Sequence, residues 1–562
     1  MSNKYDESVD DADEVGSAGA LGSADDPLKP DGEVTLIDTD YVVGQDNVVF
    51  KLGPFGLDIH NRVFAISSLL VVVFVAITLI FNQQAEPIFS SIQRWLTSNL
   101  DWFFLSAANI FVLLSVALIF TPLGRVRLGG TEADPDFSYM SWLAMLFAAG
   151  MGIGLMFYGV AEPMTHFTAA YQGVTIEDGV RTDWAPLGGA EGDVRAAYSL
   201  GMAATIFHWA LHPWAIYAVL ALGLALFSFN KGLPLTMRSI FYPLLGERVW
   251  GWPGHVIDIL AVLATLFGLA TSLGIGASQA ASGLNYLFGW THGTTMEVLL
   301  VIGITLIALG SVVSGLHSGV KRLSEINMVL AALLLLFVII AGPTLAILTG
   351  FAQNLASYFM HLPALANPFG REDANYSQGW TAFYWAWWIS WSPFVGMFIA
   401  RVSRGRTVRE FLIAVLLIPS TACVFWMTVF GTTAIEQFIG GYEDVAGVAL
   451  SLQLFTMLDA LPWAQVTSFL GFLLVVMFFI TSSDSGSLVI DTIAAGGKVD
   501  PPVVQRVFWC TFEGIVAIAL ILGGGLVALQ AMAVSAGLPF TIVLLMACVA
   551  LVRGLMDEPR GV

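Results

Sequence analysis

Aromatic side chains concentrate in two short runs of the chain. Residues 384–394 read Tyr-Trp-Ala-Trp-Trp-Ile-Ser-Trp-Ser-Pro-Phe, and residues 208–217 read His-Trp-Ala-Leu-His-Pro-Trp-Ala-Ile-Tyr. On a helix, Trp391 shares a face with Trp388, three residues before it, and with Trp387, four before it. Aromatic faces attract cations by about 0.5–2 kcal/mol per ring, and a methylated ammonium group, which has no N–H to donate, suits them. The runs predict a cage for such a group.

The competing interpretation of these runs is an aromatic belt. Trp and Tyr also collect at membrane–water interfaces, but there they lie at the ends of spans. Both runs fall inside apolar segments, and residues 384–394 include Pro393, which weakens a helix. No acidic residue lies beside either run in the sequence, which favours a cage built from rings alone.

A hydroxyl-rich stretch lies in a later apolar segment. Residues 478–486 read Phe-Phe-Ile-Thr-Ser-Ser-Asp-Ser-Gly. Such hydroxyls either bond back to carbonyls of their own helix or coordinate a hard cation, such as Na⁺, that takes oxygen ligands. The residues alone leave both alternatives open.

Ionisable residues inside apolar segments need separate interpretation, because they are rare in membranes and often functional. Asp484 and Arg401 are predicted near the same membrane surface, either as a gating ion pair or as a solvated helix end. His208 and His212 have the four-residue spacing of a metal pair, but no third ligand is near them in the sequence. The sequence therefore predicts no transition-metal site. Glu162, beside Pro163 near the end of a segment, is interpreted as a cap or loop residue.

The elements that position these residues are membrane helices. The 562 residues are 57% hydrophobic and 12% charged, whereas soluble domains are about 25% charged. Apolar runs recur that can each cross about 30 Å of hydrocarbon. The sequence predicts an all-α integral membrane protein and excludes soluble globular, collagenous and coiled-coil folds. The twelve predicted transmembrane helices are residues 62–82, 102–121, 138–166, 194–228, 255–289, 295–315, 326–350, 379–400, 410–433, 462–484, 504–525 and 527–552.

Charge is distributed unevenly along the chain. Most of the 23 Lys and Arg residues fall in the loops and tails of one side, so both termini are predicted in the cytoplasm. Residues 1–50 contain ten Asp and three Glu against Lys4 and Lys29. This segment is predicted to be disordered, and its charge argues against a nucleic-acid partner.

Two predicted spans carry helix-weakening residues, and they lie five spans apart. The third contains Ala-Ala-Gly-Met-Gly-Ile-Gly at 148–154, and the eighth contains Trp-Ser-Pro-Phe-Val-Gly at 391–396. Breaks at matching positions predict two repeats of five helices each. Because each repeat has an odd number of spans, the second repeat starts on the opposite side of the membrane and is inverted relative to the first. Broken helices at the midplane mark the binding site of many secondary transporters. The alternative is that these glycines and prolines serve close helix packing.

Four stretches resemble the betaine/choline/carnitine transporter family. They are residues 147–163, 208–217, 385–407 and 481–487, of which 385–407 carries the family signature. The resemblance implies a LeuT-type fold of two inverted five-helix repeats preceded by two extra helices, assembled as a homotrimer in the bacterial cytoplasmic (inner) membrane. The predicted segments are an acidic disordered cytoplasmic tail at 1–55, helices 1–2 at 56–134, the first repeat at 135–352, an outer loop at 353–375, the second repeat at 376–552 and a short cytoplasmic tail at 553–562.

The resemblance also implies a substrate site for a trimethylammonium or dimethylsulfonium compound. Glycine at position 154, where choline-preferring members tend to have aspartate, implies a zwitterion such as glycine betaine or dimethylsulfoniopropionate. Ser272 is expected as a donor to the substrate carboxylate. The implied substrate-binding residues are Trp209, Trp214, Tyr217, Trp387, Trp388, Trp391, Gly152, Gly154 and Ser272.

Sodium is the coupling ion that the resemblance implies, with no other cofactor. One site matches at Ala148, Met151, Phe478, Thr481 and Ser482. A second site matches only at Thr265 and Phe394, because Leu269 stands where betaine carriers have a threonine.

Together these features predict a Na⁺ symporter for betaine-like zwitterions that works by alternating access. Two transport alternatives stay open, a sodium-independent carnitine/betaine-type antiporter and a choline uptake system. A membrane enzyme would need a nucleophile, an acid/base pair or a metal cluster beside the cage, and the sequence offers none, so the chain is predicted not to be an enzyme.

Overall fold

The computed structural model describes residues 30–52, 55–150, 152–314 and 317–560. Helices make up most of it, and two small antiparallel hairpins pair β1 (Asn47–Leu52) with β2 (Phe55–His60) and β3 (Ile176–Glu177) with β4 (Val180–Arg181). The α-helices are α1 Val63–Ile80, α2 Asn82–Phe120, α3 Tyr139–Gly150, α4 Ile153–Gln172, α5 Val194–Trp209, α6 Leu211–Ala225, α7 Tyr242–Leu245, α8 Trp252–Phe288, α9 Thr294–Ser314, α10 His317–Ala341, α11 Thr344–Leu365, α12 Ala374–Tyr376, α13 Ala382–Arg401, α14 Val408–Ile439, α15 Asp444–Gly447, α16 Gln453–Asp459, α17 Ala464–Ala494, α18 Val503–Leu522 and α19 Gly525–Met556.

The described chain contains ten helices that are long and apolar enough to cross a membrane, or eleven if α3 and α4 form one bent span. This finding confirms a multi-pass, all-helical membrane protein. The eighth predicted span is present as the helix α13, which is rich in Trp and Ser and is not among those ten. The exact count of twelve and the two inverted repeats stay predictions.

The break predicted in the third span is confirmed. Helix α3 ends at Gly150, α4 begins at Ile153, and the two axes differ by 61°. The glycines at this point weaken the helix because each loses more backbone entropy on folding than other residues do.

The break predicted in the eighth span is wrong for this structure, because α13 runs unbroken through Pro393. Pro393 has no N–H to donate to the carbonyl of Ile389. The hydroxyl of Ser392 donates to that carbonyl instead, at 2.7 Å. A neighbouring side chain therefore satisfies the acceptor that the proline leaves open.

The fourth span has an interruption that the sequence analysis did not predict. Helix α5 ends at Trp209 and α6 begins at Leu211. Pro213 leaves the carbonyl of Trp209 without its helical donor. The indole N–H of Trp214 donates to that carbonyl at 3.2 Å, so this kink fixes two of the predicted cage rings relative to each other.

The prediction of a disordered tail over residues 1–55 is wrong for its second half, and residues 1–29 lie outside the described part of the chain. The segment from residue 30 onward packs along the helical body and ends in the β1–β2 hairpin. The Tyr41 ring stacks on Trp250 with centroids 4.0 Å apart, and the Thr35 hydroxyl donates to the carbonyl of Asp557 at 2.7 Å. Partners more than 200 residues away hold this segment in place.

The predicted outer loop at 353–375 is also partly wrong, because α11 occupies its first half. The preceding span ends at Ala341 rather than at residue 350. Pro343 stops that helix, since proline cannot donate to the carbonyl four residues earlier, and α11 begins at the next residue.

We expect a buried ion pair to stabilise the contact between the end of the fourth span and the chain's C-terminal segment. Lys231 Nζ lies 2.6 Å from Glu558 Oε1, and both side chains are almost fully buried. Removing one partner leaves an uncompensated buried charge, which costs about 3–5 kcal/mol. Glu558→Ala should therefore lower the apparent melting temperature in detergent. Combining Lys231→Met with Glu558→Leu should recover most of the loss, and an unchanged melting temperature in the single variant would contradict the assignment.

Candidate functional site

A cavity of about 320 Å³ lies at the break between α3 and α4. Its wall contains eight of the nine predicted substrate residues: Trp209, Tyr217, Trp387, Trp388, Trp391, Gly152, Gly154 and Ser272. Four residues of the first predicted sodium site also line it, namely Ala148, Phe478, Thr481 and Ser482, as does Phe394 of the second. The structure thus gathers residues from α3, α4, α5, α6, α8, α13 and α17 around one space.

Of the four rings predicted to form the cage, Trp388 contacts the other three. The centroid of the Trp388 ring lies 5.3 Å from those of Trp209 and Tyr217, with steep angles between the planes. Trp214 is fully buried behind this wall, and its centroid lies 6.1 Å from that of Trp388. Three rings therefore face the cavity, and Trp214 supports them from behind.

Ser272 lies at the cavity wall, and its hydrogen bonds are made to protein. Its oxygen accepts from the indole N–H groups of Trp387 at 3.2 Å and Trp391 at 3.0 Å, and its own hydroxyl donates to the carbonyl of Gly268 at 3.2 Å. In this arrangement Ser272 orients two rings. Its expected donation to a substrate stays a prediction.

The glycines of the break have different roles. A Cβ on Gly154 would lie 2.7 Å from the ring of Trp209 and 3.1 Å from that of Trp387, so only glycine lets both rings approach α4. A Cβ on Gly152 would meet nothing within 4 Å. Gly152 is the residue before the first turn of α4, whose free backbone N–H groups and positive dipole end can hold an anion.

The hydroxyls of α17 lie at the same cavity. Thr481 Oγ1 bonds back to the carbonyls of Met477 and Phe478, at 3.1 Å each. Donation of the proton leaves the lone pairs of this oxygen available to a cation. Met151 of the predicted sodium site lies outside the described residues.

Only one residue of the second predicted sodium site, Phe394, lines the cavity. Thr265 does not line the cavity, is fully buried and donates to the carbonyl of Ala261 at 2.7 Å. Leu269 packs so closely on Gly486 that a Cβ there would lie 2.3 Å from its Cδ1. Hydrocarbon fills the position at which the family resemblance implies an oxygen ligand.

The predicted gating residues Asp484 and Arg401 do not line the cavity. Arg401 Nη2 is buried and has no hydrogen-bond partner among the described residues. Asp484 is also buried, at 9% exposure, near the end of the hydroxyl stretch. A gating pair between them stays a prediction.

Glu162 is the residue that the sequence analysis misjudged. It lies inside α4, fully buried, and Oε2 accepts from Trp209 Nε1 at 2.7 Å and from the Tyr384 hydroxyl at 2.5 Å. The cap or loop interpretation is wrong. Although no acidic residue lies beside the aromatic runs in the sequence, the fold brings this carboxylate into contact with one ring of each run. His166, one helical turn after Glu162 in the sequence, was the signal that could have placed it on a buried polar face.

Two histidines complete the surroundings of Glu162. Its Oε1 lies 2.5 Å from His208 Nδ1 and 3.3 Å from His166 Nε2, and the three possible ligand atoms lie within 4.8 Å of one another. His212, the partner that the spacing suggested for His208, instead contacts Asn109 at 2.9 Å. Because four protein groups already contact the carboxylate, the cluster fits a hydrogen-bonded network; the expected absence of a transition metal stays a prediction.

Helix α10 adds three lining residues that the sequence analysis also missed, namely Ser324, Asn327 and Met328. Asn327 is 1% exposed, and its Oδ1 has no partner in the described ranges. No local motif marked this residue, because its position at the cavity depends on how α10 packs against α17.

Known proteins match this chain over almost its whole length. The profile of the betaine/carnitine/choline family of transporters (BCCT) matches residues 62–560. A glycine betaine/proline/choline transporter of Vibrio parahaemolyticus is 73% identical over 533 residues, covering 95% of this chain and 96% of the relative. Glycine betaine transporter 1 of the same organism is 53% identical, covering 92% and 97%. A glycine betaine transporter of Acinetobacter baylyi is 40% identical, covering 89% of this chain and 74% of the relative.

These matches agree with the aromatic cavity and with the four stretches that carry the resemblance. The family and these relatives are transporters and not enzymes. The chain belongs to the betaine/carnitine/choline family of transporters.

Proposed function

We propose that this chain imports betaine-like zwitterionic solutes, glycine betaine or dimethylsulfoniopropionate, by Na⁺ symport through alternating access. The observation that carries the proposal is the single cavity in which cage rings and predicted sodium ligands meet. A shared space gives coupling a direct route, because each ligand there can change the equilibrium between the same two states.

The cage would hold the methylated head of the substrate. Trp209, Tyr217 and Trp388 present aromatic surface to the cavity, which attracts a trimethylammonium or dimethylsulfonium group. The substrate carboxylate would then face Gly152 and Gly154 at the N-terminal end of α4, where backbone N–H groups attract an anion.

Sodium would bind between α3 and α17. Backbone carbonyls of Ala148, Met151 and Phe478 and the hydroxyls of Thr481 and Ser482 are oxygen ligands of the type that hard cations take. An ion at this position would join the end of α3 to α17 and stabilise one arrangement of the cavity. The filled position at Leu269 supports one sodium ion per cycle.

We expect Leu269→Thr to create a second sodium site, so that uptake depends more steeply on the Na⁺ concentration. The threonine hydroxyl would restore the oxygen that the second site lacks, and the smaller side chain would free space beside Gly486. The Hill coefficient for Na⁺ in uptake should rise from about one towards two. Leu269→Val, which also shortens the side chain but adds no hydroxyl, is the matched control and should stay near one. A coefficient near two in the parent protein would contradict the one-ion assignment.

The proposal also covers the topology, the oligomeric state and the membrane of the transporter. The distribution of Lys and Arg supports a cytoplasmic location for both termini, and the family resemblance supports a homotrimer in the bacterial cytoplasmic membrane. Asp484 and Arg401 would act near the cytoplasmic end as a gating pair.

Uptake into proteoliposomes tests the proposal. Radiolabelled glycine betaine and dimethylsulfoniopropionate are supplied with and without an inward Na⁺ gradient, and choline, carnitine and proline are supplied in parallel. Sodium-dependent accumulation of either zwitterion is the expected result. Exchange that needs internal substrate and no sodium would contradict symport and favour the antiporter alternative. Accumulation of choline alone would show that the substrate is choline and not a zwitterion.

A further inference from the structure

We propose that the buried carboxylate of Glu162 is the anionic, specificity-determining group of the cage. It would make the cage select a positively charged head over an uncharged head of the same shape. The inference deepens the proposed function and rests on it, because it concerns the same substrate site.

The contacts of Glu162 are those of a carboxylate that only accepts. The indole N–H of Trp209 and the hydroxyl of Tyr384 donate to Oε2, at 2.7 and 2.5 Å. His208 Nδ1 and His166 Nε2 lie at Oε1, at 2.5 and 3.3 Å. An ionised carboxylate has acceptor sites for all four groups and no proton to place.

Every contact of the two histidines fits a neutral imidazole, which would leave the charge of the carboxylate uncancelled. The second ring nitrogen of His208 contacts the Thr381 hydroxyl at 2.9 Å, which a neutral imidazole satisfies as an acceptor. His166 Nδ1 has no partner within the described ranges, so a proton on this nitrogen would lack an acceptor, whereas a neutral imidazole that donates through Nε2 leaves only a lone pair without a partner. The nearby guanidinium of Arg371 is paired with both carboxylate oxygens of Asp373, at 2.9 and 2.6 Å. With both imidazoles neutral, the Glu162 cluster carries one negative charge.

The indole of Trp209 transmits this charge to the cavity. Its N–H donates to Glu162, while its ring lines the cavity and meets the ring of Trp388 with centroids 5.3 Å apart. Donation to an anion pushes electron density into the indole ring, and cation–π attraction depends on that density. Because the site is buried, water screens the charge of Glu162 only weakly. A cation in the cage would feel both effects, and an uncharged group would feel neither.

Two ligands of the same shape separate charge from packing. Glycine betaine carries a trimethylammonium head, and 3,3-dimethylbutanoate carries a tert-butyl head on the same short acid. Their inhibition constants are measured against radiolabelled glycine betaine uptake for the parent protein and for Glu162→Gln. We expect the preference for glycine betaine to fall by about 10- to 30-fold in the glutamine variant, as loss of one charge about one ring away would produce.

Two further variants keep the test decisive. Glu162→Asp keeps the charge and Tyr384→Phe keeps the whole carboxylate, so both should retain the head-group preference within about threefold even if overall affinity falls. Equal weakening of both ligands in Glu162→Gln would show a purely structural role and overturn the inference. Loss of the preference in Glu162→Asp or Tyr384→Phe would overturn the inference as well. These two variants therefore still test it if Glu162→Gln does not fold. Failure of the parent protein to recognise glycine betaine would instead overturn the proposed function.

Discussion

Replacing Trp388 with alanine is expected to abolish glycine betaine binding and uptake while the protein stays folded. The ring of Trp388 lines the cavity and contacts Trp209, Trp214 and Tyr217 with centroids 5.3–6.1 Å apart. Its removal takes away one cation–π contact of about 0.5–2 kcal/mol and frees the neighbouring rings to move. A loss of about 2 kcal/mol lowers affinity by about 30-fold, and the loosened neighbouring rings should extend the fall to roughly a hundredfold or more.

The stability of this variant should change little. Trp388 stands beside an existing cavity, so its truncation enlarges a space and does not open a new one in a packed core. The measurement pairs glycine betaine binding, followed by tryptophan fluorescence or calorimetry, with the apparent melting temperature of the same sample.

Two conservative variants serve as controls. Trp388→Phe keeps an aromatic face and should retain part of the affinity. Trp385 lies on the same helix, fully buried against Phe207 and away from the cavity. Its indole N–H has no partner in the described part of the chain, so Trp385→Phe should bind normally. Retained affinity in Trp388→Ala would remove Trp388 from the cage.

The features that the sequence could predict are those set by local spacing. The rings of Trp387, Trp388 and Trp391 reach one cavity because residues three and four apart share a helix face. The break after Gly150 follows from three closely spaced glycines. The prediction of a break at Pro393 was wrong because it considered only the proline. The hydroxyl of the neighbouring Ser392 donates to the carbonyl of Ile389, which Pro393 leaves without a helical donor.

Glu162 shows the limit of such reasoning. Its partners Trp209 and Tyr384 are 47 and 222 residues away in the chain, so no local pattern could reveal that the carboxylate holds these two side chains. The packing of the segment after residue 30 could not be predicted for the same reason, because its partners are also distant in the chain. Its acidic composition indicates disorder in an isolated chain, whereas fixed partners such as Arg404, which pairs with Asp31 at 2.5 Å, hold it on the protein.

Sodium coupling should depend on two neighbouring hydroxyls of α17. The double variant Thr481→Val with Ser482→Ala preserves most of the packing and removes two oxygen atoms that line the cavity. If each contact with the ion contributes about 1.5 kcal/mol, as hydrogen bonds to charged groups do, sodium affinity should fall by roughly a hundredfold. The Na⁺ concentration for half-maximal uptake measures this change, at saturating glycine betaine.

The next residue on the helix provides the matched control for that variant. The Ser483 hydroxyl contacts the sulfur of Cys510 on α18 at 3.6 Å and does not line the cavity. Ser483→Ala therefore removes one hydroxyl from the same stretch without removing an oxygen from the cavity, and its sodium dependence should match that of the parent protein. If Ser483→Ala lost sodium dependence while the double variant kept it, the ion would bind behind α17 instead. Coupling would then act through the contact between α17 and α18 and not through the substrate cavity.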